Sequence, residues 1–307
     1  MINEIQEYHL KNFIDLVPED HSPPYAWIGH VFFAQVLVNE MKPDIFVELG
    51  THTGNSYFSF CQVVKTNNLK TKCFAIDTWK GDKHASYYEE SVFNKVKKIN
   101  NKYSDFSQLL KKTFDEGLED FDNGSIDLLH IDGLHTYEAV KHDFLSWLPK
   151  LKKNAVILFH DINVFREDFG VYKFWSEIQE KYPLTFQFMH SYGLGVLQLG
   201  KKSDENILSI FKINKMVQKK LCESYEFIGS NYFDDFSNEI KINNLNQIIS
   251  KSNADRKQLD NDKKQLENDK KQLENTLIKL YDLKIFRYTE SLRHGYMAFR
   301  NFLKKII

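Results

Sequence analysis

Between residues 44 and 161 short apolar runs alternate with amphipathic stretches, and the runs keep ending on a glycine turn, an acid or a histidine. Asp44 to Leu49 leads into Gly50, Lys72 to Ile76 into Asp77, a short run near Lys102 to Ser104 into Asp105, Ser125 to Ile131 into Asp132, and Ala155 to Phe159 into His160 and Asp161. Helices are expected over Asn55 to Lys65, over Thr136 to Leu148 and over residues 173 to 181, with a polar, aromatic-rich helix between the second and third runs. Thr185 to Met189 and Gly195 to Leu199 read as a closing strand pair. Strand and helix alternating at this spacing predict an α/β domain with a doubly wound, mostly parallel sheet. Ligands of such sheets bind beyond the carboxyl ends of the strands, so acids far apart in sequence are expected to gather at one edge.

The segment Val47-Glu48-Leu49-Gly50-Thr51-His52-Thr53-Gly54-Asn55-Ser56 puts glycine where a strand must turn sharply and again where a helix begins. A side chain at either glycine would obstruct a ligand approaching the backbone. The exposed N–H groups and helix dipole beyond them suit a carboxylate or a phosphate. Asp77 follows Gly54 by 23 residues at the end of the next run, a position from which a carboxylate accepts hydrogen bonds from ribose hydroxyls. The pattern lacks G-x-G-x-x-G, which favours S-adenosylmethionine over a dinucleotide. Glu48 could orient the turn or the cofactor amine, Trp79 could stack on the nucleoside or plug the core, and Asp105 could meet the adenine edge or cap a loop.

Asp132, His160 and Asp161 end neighbouring runs and are expected to converge. Two close carboxylates raise one another's pKa unless a cation or hydrogen-bond donors intervene, so a divalent ion is a candidate here. Magnesium or calcium suits the carboxylates, and manganese accepts His160 more readily. Such an ion would gather two neighbouring hydroxyls and acidify one, while a neutral His135 would take the proton or else fix the loop. Arg166, Glu167 and Asp168 form a polar loop that either reads the acceptor or is simply solvated.

These blocks, VELGTHTGNS, AIDTWKGDKHASYY, SIDLLHIDGLHTYEAVKHDF and ILFHDINVFREDFGV, resemble the class I S-adenosylmethionine-dependent methyltransferases, in particular the bacterial sugar and macrolide-sugar O-methyltransferase branch, over residues 25 to 200. The resemblance implies that Glu48, Gly50, Gly54, Ser56 and Asp77 line the cofactor site, with Asp105 as a further candidate near adenine. It also implies metal positions at Asp132 and Asp161, beside which His160 stands where relatives offer another carboxylate. The expected activity is methyl transfer to a sugar hydroxyl. A nucleotide-sugar oxidoreductase and a catalytically silent scaffold of a glycan-synthesis complex are the competing readings.

Charge separates the chain into two parts. Residues 251–307 hold 14 Lys and Arg against 8 Asp and Glu, although the whole chain carries a formal charge of -1. That balance gives no global field for nucleic acid. The expected division is a methyltransferase core with N-terminal helices over 1–200, a small α/β extension or cap over 201–250, and a helical tail over 251–307. Leu259, Leu266, Leu273 and Leu280 recur every seven residues, with Arg256, Lys263, Lys270 and Leu277 at the other seam position, which predicts a self-associating coiled coil or a solvated spacer. Leu292, Tyr296, Phe299, Leu303 and Ile306 follow at helical spacing beside Arg287, Arg293, Arg300, Lys304 and Lys305, which suits either a helix lying on an anionic membrane or one that covers the enzyme or a protein partner. Cys61, Cys73 and Cys222 offer no paired framework, and the first residues lack the pattern of a secretory signal. A cytoplasmic protein, either free or peripheral at the inner membrane, acting on a sugar or glycolipid acceptor, is the expectation.

Overall fold

The computed structural model describes residues 21–82, 86–87, 89–166, 168–201, 203–204, 208–281 and 290–306. Glu167 and Arg287, and the side chains of Leu280, Leu292 and Ile306, lie outside the described set. Two compact units divide the chain, residues 1–236 and 237–307.

The first unit is built on seven strands: β1 (Ile45–Leu49), β2 (Lys72–Asp77), β3 (Ser107–Lys111), β4 (Ile126–Ile131), β5 (Leu151–His160), β6 (Thr185–Phe188) and β7 (Leu194–Gln198). They lie in the order β3-β2-β1-β4-β5-β7-β6. The first five run parallel, and β7 runs antiparallel to both β5 and β6. This is a Rossmann-like sheet whose strand order reverses between β1 and β4, where a crevice opens at the carboxyl ends.

Side-chain parity makes the sheet the middle of three layers. Phe46, Cys73, Ala75, Leu128, Val156, Leu158, Leu194 and Val196 pack on one face, with residues of α1 (Val31–Met41) and α2 (Asn55–Thr66) such as Val36, Leu37 and Phe60. Their odd partners Val47, Leu49, Leu129, Ile131, Ile157 and Phe159 pack on the other. There they meet Phe144 and Trp147 of α5 (Tyr137–Trp147) and Phe174, Trp175 and Ile178 of α6 (Val171–Lys181). Strands covered on both faces read as continuous apolar runs, which is why β4 and β5 were so visible in the sequence. Truncating Phe46 or Phe159, each at most 1% exposed, would cost about 3–5 kcal/mol.

The third strand differs from expectation. Residues 101–103 form a 3-10 turn and the strand begins only at Ser107. Asn100, Asn101 and Lys102 offer no apolar face, whereas Leu109 and Leu110 do. Helix α3 (Glu90–Asn100) precedes that turn, and the short α4 (Phe114–Gly117) follows β3, opened by a capping box between Thr113 and Glu116.

In residues 201–250, read from sequence as a small α/β extension or a helical cap, the described residues are helical over 209–212 and from 215 onward. After α7 (Ser209–Lys212), one continuous helix, α8, spans Lys215–Tyr281. No proline follows Pro183, so nothing in its sequence forces a break. Its first turns bind the core through Tyr225, Gly229, Tyr232 and Phe236, spaced to share one face. Tyr225 meets Phe33 and Phe188, Tyr232 meets Phe32, and Phe236 meets His21 and Tyr25. A Cβ on Gly229 would overlap the Gly29 carbonyl, so the helix approaches the core at backbone distance. The second unit continues α8 and includes α9 (Glu290–Ile306). Among the described residues no helix is long and apolar enough to cross a membrane.

Candidate active site

A cavity of about 450 Å³ opens at the carboxyl ends of β1, β2, β4 and β5. One wall is the loop from β1 to α2. Gly50 takes φ 89° and Gly54, the N-cap of α2, takes φ 87°. A Cβ on Gly50 would overlap the Asp132 carbonyl oxygen, and one on Gly54 would overlap the Phe58 ring. Both positions therefore require glycine for backbone conformation and for space. Gly50, Thr51, His52, Thr53, Asn55 and Ser56 face the cavity. The Thr51 hydroxyl oxygen is buried there with no hydrogen-bond partner among the described residues.

Asp77 closes the same wall. Its carboxylate accepts the His52 N–H at 2.8 Å and the Trp79 N–H at 2.6 Å, which ties the loop to the end of β2. Burial raises its pKa, and those two N–H groups oppose the rise. Each oxygen keeps a lone pair for a ligand hydroxyl. Trp79 lies beneath the loop rather than over the cavity: it is 2% exposed, its ring meets Phe93 at 4.7 Å, and its Nε1 donates to the His52 carbonyl at 2.9 Å.

Asp105 is not brought to the site. The strand it was expected to follow starts two residues after it, so Asp105 sits exposed at the amino end of β3, away from the crevice. Thr113 and Phe114, beyond the carboxyl end of β3, line the cavity instead. The T-x-x-E capping box at 113–116 is the sequence signal that locates this strand end.

Glu48 points away from the cavity as well. It pairs in register with His130 on the even face of the sheet, and both side chains are fully buried. His130 Nδ1 lies 2.8 Å from Glu48 Oε2, and Trp27 Nε1 lies 3.3 Å from His130 Nε2. An indole N–H only donates, so His130 Nε2 accepts and Nδ1 donates to Glu48. Glu48 thus acts under the turn, through His130, and not on the cavity.

The opposite wall gathers Asp132, His135, His160 and Asp161. His135 Nε2 is 2.7 Å from Asp161 Oδ2 and 3.6 Å from Asp132 Oδ1. His160 Nδ1 is 3.3 Å from Asp132 Oδ1 and 3.5 Å from Asp161 Oδ2. Asp161 reaches this position with φ 61°, a left-handed backbone uncommon outside glycine. His160 Nε2 meets the Ser191 carbonyl at 3.1 Å. A carbonyl only accepts, so Nε2 carries a proton and Nδ1 is turned to the carboxylates.

The electrostatics follow from this packing. Burial disfavours charge on all four groups, but their mutual attraction prevails. His135 is raised to about 9, and His160 is held well above its ordinary value. Asp161 is lowered to about 2 and Asp132 well below the usual carboxylate range. With no ion between the carboxylates His135 holds its proton at neutral pH, shared with Asp161 and Asp132, whereas the expectation from sequence is a neutral ring. Its ring stacks on Phe169 at 4.9 Å and 6°.

The ligand atoms of Asp132, His135 and Asp161 lie within 4.8 Å of one another, close enough to share a cation. His135 joins the two acids in this group, and the buried His160 also lines the cavity with Nδ1 turned to both carboxylates. Two carboxylates and an imidazole fit manganese, iron or zinc better than calcium, and binding would displace the His135 proton. Arg166, Phe169, Val164, Tyr192, Ala26 and Trp27 complete the cavity on this side. Asp168 does not line it, and Trp27, Phe169 and Tyr192 are contributors that sequence spacing did not indicate.

Residues 47–162, the span from β1 through the two acids, match the methyltransferase domain family. This segment is a methyltransferase domain. Uncharacterized protein y4gI of Sinorhizobium fredii is 44% identical over 207 residues, 67% of this chain and 23% of that relative. Uncharacterized protein R132 of Acanthamoeba polyphaga mimivirus is 29% identical over 143 residues, 45% of this chain and 61% of its own. The chain spans less than two thirds of either relative's length. Among solved structures, the O-methyltransferase TomG of Streptomyces achromogenes, involved in tomaymycin synthesis and determined with SAM, is 14% identical. It has a TM-score of 0.42, with 65% of this chain and 89% of that one covered. The SAH-bound methyltransferase PaMTH1 of Podospora anserina is 14% identical with a TM-score of 0.40, covering 65% and 95%. In this chain the methyltransferase domain contains Gly50, Gly54, Ser56, Asp77, Asp132, His135, His160 and Asp161, the residues of both walls.

Proposed function

We propose that the protein transfers a methyl group from S-adenosylmethionine to a hydroxyl of a small molecule, and that the acceptor is a sugar presenting two neighbouring oxygens. The observation that carries this reading is one cavity with a glycine-shaped backbone cradle and Asp77 on one wall and the Asp132–His135–Asp161 cluster on the other. The match of residues 47–162 to the methyltransferase domain supports it.

The cofactor supplies a methyl group on a positively charged sulfur, open to direct displacement by an oxygen. The cradle fits it on two counts. The Gly50 turn presents bare backbone to the cavity, and Thr51 brings a buried hydroxyl lacking a partner among the described residues. N–H groups at the start of α2 would receive the carboxylate of the methionyl part, and Asp77 would accept from ribose hydroxyls. A divalent ion, if held by Asp132, His135 and Asp161, would lower the pKa of an acceptor hydroxyl. His160, fixed by the Ser191 carbonyl, keeps both carboxylates ionised and oriented. Tyr192 and Trp27 would border an acceptor ring, while Phe169 backs His135 and holds Arg166 over its ring beside the cavity.

The test is transfer of isotope-labelled methyl from S-adenosylmethionine to a panel of sugars and other diols, with and without chelator, followed by mapping of the labelled atom. Label on a sugar oxygen, lost in Asp132→Asn and Asp161→Asn, supports the reading. Label confined to nitrogen, or no turnover on any hydroxyl, rejects it.

A further inference from the structure

We propose that the second unit pairs with the same unit of another copy of this chain as a two-stranded coiled coil along residues 242–280. The seam is longer than the leucine repeat alone. With the leucines at position d, the frame runs back through Ile242 (a), Leu245 (d), Ile249 (a) and Ser252 (d) and forward to Leu277 (a) and Leu280 (d), six heptads in one register whose d position is polar only at Ser252. The whole of it lies within the one helix α8. Coiled coils need about three to four such heptads.

Within the unit this seam is uncovered. Leu259, Leu266 and Leu273 are 69%, 68% and 64% exposed, and Ile242, Leu245 and Ile249 are exposed as well. A row of large apolar side chains held in water on one helix face is costly unless another surface covers it.

Charge selects the occupant. In the central heptads position a is basic, at Arg256, Lys263 and Lys270. The flanking positions are acidic, with Asp255, Asp262 and Asp269 at g and Asp260, Glu267 and Glu274 at e. Knobs at a and d pack into holes edged by the partner's g and e positions. A second copy therefore meets each base at a with acids in the same repeating frame, and these attractions act against the repulsion between the acids at g and e of the two copies. Basic side chains at a also bear on strand number, because polar residues at that position specify oligomeric state. In two strands the long stems can lie on the leucine layers and carry their charges out to the acids. The helix is in turn stiffened from outside, as Gln258 and Gln265 bond Asp262 and Asp269 one turn on.

The experiment is sedimentation equilibrium of the full chain from about 1 to 100 µM, the range in which coiled coils of modest length assemble. The expected species has twice the 36.3 kDa chain mass. The triple variant Leu259→Lys, Leu266→Lys, Leu273→Lys should weaken association by roughly 100-fold or more, since three apolar layers are lost. Lys263→Leu with Lys270→Leu should tighten it by about tenfold or more, since apolar layers replace basic ones. All four tryptophans lie in the first unit, so their fluorescence shows independently that the core is folded in each variant. A wild-type mass of 36.3 kDa throughout the range overturns the proposal. So does a folded triple variant that remains dimeric. Should the triple variant lose the core signature, the double variant decides: tightening supports the coiled coil, and unchanged association overturns it.

Discussion

The ion pair between His135 and Asp161 gives the site a pH signature whose size follows from its geometry. Burial works against the charge on His135, yet contacts to Asp132 and Asp161 raise it from 6.5 to about 9. Both side chains of the closest pair are mostly covered, at 15% and 11% exposure, so solvent screens the interaction little. Raising the group from 6.5 to about 9, at about 1.4 kcal/mol per pH unit, is worth about 3.5 kcal/mol of stability, of which about 3 is lost between pH 6 and 9.5. Below pH 6.5 the unfolded chain also holds the His135 proton, and the full stabilisation is present. As pH rises the unfolded form releases that proton first, and the contribution is gone once pH has passed about 9. In His135→Gln this dependence should vanish. The assay is urea unfolding of the chelator-treated protein at steps from pH 6 to 9.5, followed by tryptophan fluorescence, which reports the first unit alone because Trp27, Trp79, Trp147 and Trp175 all lie in it. Wild type should lose about 3 kcal/mol more than the variant across that interval. Equal pH slopes would refute the ion pair as drawn.

Three further outcomes are expected. Gly50→Ala, forced into φ 89° and against the Asp132 carbonyl, should lose about 2 kcal/mol or more of stability in denaturant titration; unchanged stability would mean the turn is shaped differently. Asp105→Ala should leave S-adenosylmethionine affinity within about twofold while Asp77→Ala weakens it about tenfold or more, since only Asp77 reaches the cavity; equal losses in calorimetry would contradict the placement of β3. Removing residues 290–307 should reduce co-sedimentation with vesicles of anionic phospholipid, because Tyr296, Phe299 and Leu303 share a face of α9 beside Arg300, Lys304 and Lys305. Equal recovery with and without the segment would argue against a membrane-surface role.

Much of the sheet was legible because strands buried on both faces leave apolar runs, and the turn at Gly50 was legible because only glycine fits its φ and its clearance. The placement of Asp105 was not. A polar turn at 101–103 resembles a weak strand, and only the capping box at Thr113 and Glu116 marks the true strand end. Glu48 shows a different difficulty. Its residue type in a β1 turn fits a ligand contact, but parity puts it on the even face with His130, out of the cavity. His160, at the end of β5, was legible as a neighbour of the acids, whereas the approach of His135 depends on a loop that folds its ring back over Asp161. The helical run from Lys215 was masked by aromatic and β-branched residues, whose helical spacing shows only once Tyr225, Gly229, Tyr232 and Phe236 are seen to share a contact face.

Calorimetric titration of the full chain with S-adenosylmethionine and, separately, with NAD tests most directly whether the cradle at Gly50 and Asp77 holds a methyl donor. One-to-one binding of S-adenosylmethionine, abolished in Gly50→Ala and absent for NAD, is the predicted result. Stoichiometric NAD binding with no heat from S-adenosylmethionine would contradict it.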